Sequence, residues 1–336
     1  MPNRKTYIQL LVGLVTFLLI IIVLAMSVGR YSMNPVDTIG AILTKLTGRE
    51  GNEIMESVVF YVRTPRILGA LFIGMALSVS GAVYQSAFKN PLVSPDLLGV
   101  SSGASAGAAL GIVLSFGTKG IEATAFIGGM IAVALATTLP KLLKNSSNMM
   151  LILSGIIVSG FMSSLLGVIK FFAEEETELS SIVFWQMGSL SAITYDQLLS
   201  VVPVMLVCVC IILAISWQLN ILSFGEQEAQ SIGVNVKLLR GIAIVCASLL
   251  TASAVCISGT IGWIGLVVPH FGRMITGSDN TKMLPVTMII GAAFLLIIDT
   301  FARALTTLEI PLSILSGLVG APFYAWLLYR QKAKIS

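Results

Sequence analysis

Ten apolar stretches separated by short polar breaks organise the 336-residue chain. They fall at 8–28, 65–86, 97–116, 121–140, 149–170, 197–217, 239–257, 260–275, 284–304 and 311–329. Most approach the roughly 20 residues that an α-helix needs to cross the hydrocarbon core of a bilayer. The stretch at 260–275 is short and Gly-rich, so it is expected to be partly broken where neighbouring protein satisfies its backbone. The pattern predicts an all-α polytopic membrane protein of about ten transmembrane helices. It forms a single transmembrane domain over 1–336, with one longer polar loop at about 220–237.

Composition removes the alternatives to that class. AVILMFWYC residues make up 56% of the chain and charged residues only 11%, against roughly 25% charged in soluble domains. Arg4 and Lys5 precede the first apolar run, which is too long for a signal-peptide core and lacks a clear small-residue cleavage site. It reads as the first span. With the N-terminus inside, twelve of the 20 Lys and Arg residues fall on the cytoplasmic side, a modest positive-inside bias. Arg63, Arg66 and Arg303 are exceptions, standing at outer helix ends where topology gives no reason for them. Cys208, Cys210, Cys246 and Cys256 all lie within spans and form no C-x-x-C pair, so they read as small core residues.

Small residues mark helix seams. Gly99, Gly103, Gly107 and Gly111 recur every four residues and fall on one helix face, as do Ala70, Gly74, Ser78 and Ala82 one span earlier. Such faces let membrane helices approach closely. Gly99-Val100-Ser101-Ser102-Gly103 also matches G-x-S-x-G, which with His270 would make an intramembrane serine protease. No strand precedes the motif, and the glycine face already accounts for both glycines, so no catalytic residue is assigned.

Other chemistry is sparse. No G-x-x-x-x-G-K-[ST] motif occurs, and no His/Cys cluster suggests a metal site. Acidic and basic residues are missing from the middle of most spans, where they would mark an ion or proton route. That argues against an ion-coupled secondary carrier. Asp299 is the nearest exception, and four residues before Arg303 it reads as an i,i+4 ion pair. On the cytoplasmic side, Gly225 and Gly233 bracket a short helical segment, Glu226 to Ile232. It suits either a surface helix docked in a partner's groove or a solvated connector.

The sequence resembles the FecCD family of permeases along nearly its full length. The resemblance is carried by RTPR (63–66), GAVYQSAFKNPLVSPDLLGVSSGA (81–104), FGEQEAQSIGV (224–234), GTIGWIGLVVPHFGR (259–273), DTFAR (299–303) and EIPLSILSGLVGAPFYAWLL (309–328). It implies the type II ABC importer permease fold, in a bacterial cell membrane with both termini cytoplasmic. The cargo implied is a ferric siderophore, with haem or cobalamin as alternatives. A second permease subunit, two cytoplasmic ATPases and an external substrate-binding protein would complete the complex. ATP and Mg would sit on the ATPases, leaving this chain without a cofactor. By the same resemblance Arg63, Arg66 and Arg303 would receive the binding protein. Gly225, Glu226, Glu228, Ala229 and Gly233 would couple to the ATPase. Asn90 and Leu92, with Ser146 and Ser147, would form the cytoplasmic gate.

Overall fold

The computed structural model describes residues 3–29, 31, 33–47, 52–144, 147–306 and 308–332. Its elements are α1 (Arg4–Ser27), α2 (Pro35–Thr47), α3 (Glu53–Ser57), a π-helical turn (Val58–Arg63) and α4 (Thr64–Ala87). A 3-10 turn (Pro95–Leu98), α5 (Val100–Val113), α6 (Gly117–Leu142) and α7 (Asn148–Phe172) follow. Next come a second π turn (Glu175–Leu179), α8 (Ser180–Met187), α9 (Tyr195–Ala214), α10 (Ser216–Phe224) and α11 (Glu226–Ser231). The chain closes with α12 (Val236–Ser258), α13 (Ile264–Thr276), α14 (Asn280–Ala304) and α15 (Leu312–Lys332). Each expected span falls on a helix, and among the described residues 7 helices are long and apolar enough to cross a membrane. The amphipathic α2 and the short α8 and α10 lie where the hydrophobic pattern predicts loops.

Burial sorts the helices into layers. The apolar windows of Glu53–Ala87 and Val236–Ser258 are 78% and 72% buried, against 17% for Arg4–Ser27. α4, α12 and α14 therefore form the centre, and α1, α6, α7 and α9 surround them. Apolar groups are equally comfortable in lipid and in protein, so close packing and hydrogen bonds decide which helices meet. On α4 a Cβ at Gly74 would lie 2.3 Å from the Gly291 carbonyl oxygen of α14. One at Gly81 would lie 1.8 Å from the Gly265 carbonyl oxygen of α13. Ser78 Oγ donates to the Thr287 carbonyl of α14 at 3.2 Å.

The glycine series divides between two roles. Cβ atoms at Gly103 and Gly107 would meet the carbonyls of Gly128 and Thr124 on α6 at 2.4 and 2.1 Å. Those two glycines, with Gly111 against Thr124 and Ile121, make the α5–α6 seam. Gly99 does not join it. It stands at φ 78 as the N-cap of α5, a left-handed conformation that glycine adopts without a Cβ penalty, and it faces Ser159 of α7.

Two spans begin in the middle of the bundle. α5 has 14 residues and α13 has 13, about 20 Å of helix at 1.5 Å per residue, well short of a bilayer core of about 30 Å. Pro95 packs on Gly265 beside Leu77, and Leu77 is the fourteenth of the 24 residues of α4. Gly99 packs on Ser159, the twelfth of the 25 residues of α7. The chain after α4 thus folds back to mid-depth before α5 starts, which corrects the full span expected at 97–116. α13 starts at Ile264 after an irregular segment, as the expected break at 260–275 requires. Helix also continues upstream of Pro65 to Glu53 rather than starting at the proline. Pro65 has no N–H for the Tyr61 carbonyl, and the backbone there takes a π turn, with Thr64 N bonded to the Val59 carbonyl.

Candidate functional site

The side chains expected to carry function lie toward the two ends of the bundle. α1 and α14 run parallel: Tyr7 Oη donates to the Lys282 carbonyl at one end, at 3.2 Å. Arg303 donates to the Ala25 carbonyl at the other. α4 runs antiparallel to both, which brings Arg63 and Arg66 to the Arg303 end.

At that end the structure places the three arginines together but turns them inward. Arg63, Arg66 and Arg303 are 3%, 7% and 6% exposed. Arg66 Nε bonds both oxygens of Asp299 at 3.0 Å, and its Nη2 bonds Oδ1 at 2.9 Å. The outer edge of the same guanidinium grips Glu309, Nη1 to Oε1 at 2.9 Å and Nη2 to Oε2 at 3.0 Å. Arg303 Nε stands 3.8 Å from Asp299 Oδ2, so the expected i,i+4 pair exists but is the weaker of the two that Asp299 makes. Arg63 has no carboxylate partner among the described residues. Its guanidinium donates to the Met26 and Tyr31 carbonyls and lies 3.7 Å from Met33 Sδ. Three cations against two anions leave the cluster with one surplus positive charge. The fully buried Asp299 is tolerable only because it is paired, since an isolated buried charge costs several kcal/mol.

The opposite end carries α10 and α11. α11 closes with a Schellman turn, in which Val234 N bonds the Ala229 carbonyl at 3.0 Å and Gly233 N the Gln230 carbonyl at 2.9 Å. Gly233 supplies the left-handed φ of 84 that this turn needs. Glu228, Gln230 and Ile232 are exposed, while Ala229 is fully buried and pins the helix to the core. Ala229 therefore holds α11 in place, and the surface open to a partner is the rim around it. Gly225 joins α10 to α11 in an extended conformation. Asn220 of α10 bonds Asp279, the N-cap of α14, at 2.7 Å. Burial pushes the Asp279 carboxyl up, but hydrogen bonds from Thr281 and Asn220 and the nearby Lys282 outweigh it, and its pKa lies below the usual carboxylate range. A depressed carboxylate stabilises the fold above its unfolded value of about 3.9. That contribution is lost only as pH falls through the folded value, so this contact persists at neutral pH.

The residues expected to form the gate lie at this same end. Asn90 Oδ1 accepts from Leu92 N at 2.9 Å, and Leu92 is exposed. Ser147 caps α7 by accepting from Met150 N at 3.2 Å. Ser146, with Asn145, lies outside the described residues.

Sequence reading missed Asp96. It sits at mid-depth on the folded-back segment ahead of α5 and is exposed there. Its carboxylate accepts from Ser101 Oγ in a crevice shared with Ser94, Thr251 and Trp263. The usable signal was the pair Pro91 and Pro95 in the loop ahead of the helix. Ser101 is thus engaged with an acid rather than with His270, and the catalytic pair is not formed. A charged group at mid-depth faces a water-filled or protein-covered surface, not lipid.

Among solved structures, a metal-chelate type ABC transporter in an inward-facing conformation aligns with a TM-score of 0.87. It has 38% sequence identity, over 96% of this chain and 99% of that one. The chain has the fold of a membrane-spanning permease subunit of an ABC importer, and ATP hydrolysis in such systems belongs to separate subunits. The molybdate import permease MolB of Haemophilus influenzae is 41% identical over 328 residues, 97% of each chain. The hemin transport permease HmuU of Yersinia pestis is 34% identical over 343 residues, 99% of each. A model of the FecCD transport family matches residues 17–330, and the chain belongs to that family.

Proposed function

We propose that this chain forms half of the translocation pathway of a ferric-siderophore importer in a bacterial cytoplasmic membrane, with both termini cytoplasmic. A second permease subunit completes the pathway, two cytoplasmic ATPases hold ATP and Mg, and an external protein delivers the cargo. This chain itself binds no cofactor. The observation that carries the reading is the 38%-identical solved relative of metal-chelate type. The 41% identity to a molybdate permease favours a second reading, an oxyanion cargo, and haem and cobalamin are further alternatives.

The arginine end faces outward and receives the binding protein. Its surplus positive charge steers an acidic partner and sets its register more than it adds affinity. The α11 end faces the cytoplasm and seats an ATPase along the rim of Glu228, Gln230 and Ile232. Asn90, Leu92, Ser146 and Ser147 close the pathway on that side.

Ile232→Asp places a charge on an exposed apolar contact without touching the core. It is expected to lower co-purification of the ATPase at least tenfold while leaving the permease monodisperse; unchanged co-purification would remove α11 as the docking element. Cargo is tested by whole-cell accumulation of ferric siderophore, haem, cobalamin and molybdate. Energy-dependent accumulation of the siderophore is expected. Accumulation of molybdate without the siderophore overturns the ferric reading.

A further inference from the structure

α11 touches α10 and α12 but makes no close packing with α4 or α14 among the described residues. A displacement of α11 therefore reaches the central helices through its neighbours. α10 packs against both α4 and α14, and its fully buried Leu219 and Leu222 belong to the apolar core. Apolar contact is non-directional and lets packed helices slide. A polar contact with fixed geometry does not.

One such contact joins α10 to α14. Asn220 Nδ2 donates to Asp279 Oδ1 at 2.7 Å, and Asn220 Oδ1 accepts from the backbone N–H of Asn280, also at 2.7 Å. The amide thus satisfies one of the unpaired donors at the start of α14 while gripping its N-cap side chain. Asn280 is 3% exposed and accepts from Ser86 Oγ of α4 at 2.9 Å. From there α4 and α14 cross the membrane as one unit, joined by the Gly74–Gly291 approach and by Ser78. At the far end Arg66 and Asp299 lock them again. The α4–α14 pair is a strut clamped at both ends, and Asn220 is the polar grip on it from the α11 side.

We infer that Asn220, clasping Asp279 and the N–H of Asn280, is the positioning residue through which movement of the 226–231 helix enters the α4–α14 strut. This rests on the reading of α11 as the ATPase seat. Without the clasp, the ATPases turn over but the strut lags, so hydrolysis is uncoupled from transport.

The pair can be reversed without losing its bonds. Asn220→Asp alone sets two carboxylates against each other. Adding Asp279→Asn restores a donor–acceptor pair, because the amide introduced at 279 donates to the carboxylate introduced at 220 while its oxygen still caps Thr281 N. Asp279→Asn alone keeps an acceptor and is expected near wild type. The test uses the assembled permease–ATPase complex in proteoliposomes with its binding protein, and reads cargo imported per ATP hydrolysed. Asn220→Asp and the similarly sized Asn220→Leu are each expected to lower that ratio about tenfold, the scale of losing a hydrogen bond to a charged group. The double swap is expected to recover it to within about twofold.

A normal ratio in Asn220→Asp overturns the clasp, as does a double swap no better than Asn220→Asp. Loss of assembly in both single variants at 220, rather than loss of coupling, makes Asn220 a structural contact and also overturns it. A wild-type chain that seats no ATPase is a different failure, that of the docking reading itself.

Discussion

Gly81→Ala is expected to destabilise the folded permease strongly. The added Cβ would stand 1.8 Å from the Gly265 carbonyl oxygen and 2.5 Å from its carbon, so the conflict is between two backbones and no rotamer relieves it. α13 has nowhere to retreat. Space around Gly265 is taken by Pro95 and the Leu77 carbonyl, and Gly272 further along α13 abuts Thr287 of α14. Overpacking a core typically costs about 1–3 kcal/mol, and more when backbone must shift. The upper end applies here, a large part of the roughly 5–15 kcal/mol that holds most proteins together. Thermal unfolding of the detergent-purified protein reads it directly. Gly13→Ala, where nothing lies within 4 Å of the added Cβ, is the matched control and is expected to be neutral or slightly stabilising. Equal melting of the two variants would refute the packing role of Gly81.

Removing Arg66 is the second large effect. Arg66→Met strips both the fully buried Asp299 and Glu309 of their bidentate partner, leaving Arg303 at 3.8 Å as the only cation paired with Asp299 among the described residues. Breaking a buried pair from one side costs about 3–5 kcal/mol, so the variant is expected to unfold roughly ten degrees early. Adding Glu309→Gln returns the cluster to one surplus positive charge, removes the carboxylate left without its partner and keeps Asp299 for Arg303, so part of the loss should be recovered. A double variant no better than Arg66→Met would show that the cluster acts by something other than charge compensation. Reversing Arg63, Arg66 and Arg303 together therefore tests folding before it tests any partner. A loss of uptake in that variant carries no information about the binding protein.

The helices were legible because apolar runs of membrane length have few competing explanations. All the expected spans fall on helices, and the four-residue glycine spacing marks a close-packing face of α5, though not the helix it packs on. Depth was not legible. Hydropathy treats 97–116 as one crossing, since nothing in a window average separates a full span from a half-helix preceded by a folded-back turn. The mid-depth position of Asp96 was hidden for that reason. The direction in which charges face was also hidden. Arg63, Arg66 and Arg303 were found by their odd topology, yet Glu309, 243 positions from Arg66, is joined to it only by the fold. Asn220 and Asp279 lie 59 positions apart and look like ordinary polar residues at helix ends.

Whether docked ATPases drive this permease from its α11 end is decided by transport in a defined system. Proteoliposomes carry the permease with its ATPases, the binding protein is loaded with ferric siderophore outside, and ATP is enclosed within. Accumulation is expected only with all components and ATP, and no proton or sodium gradient should replace them. Accumulation driven by an ion gradient through the permease alone would show that the ATPases are not its engine.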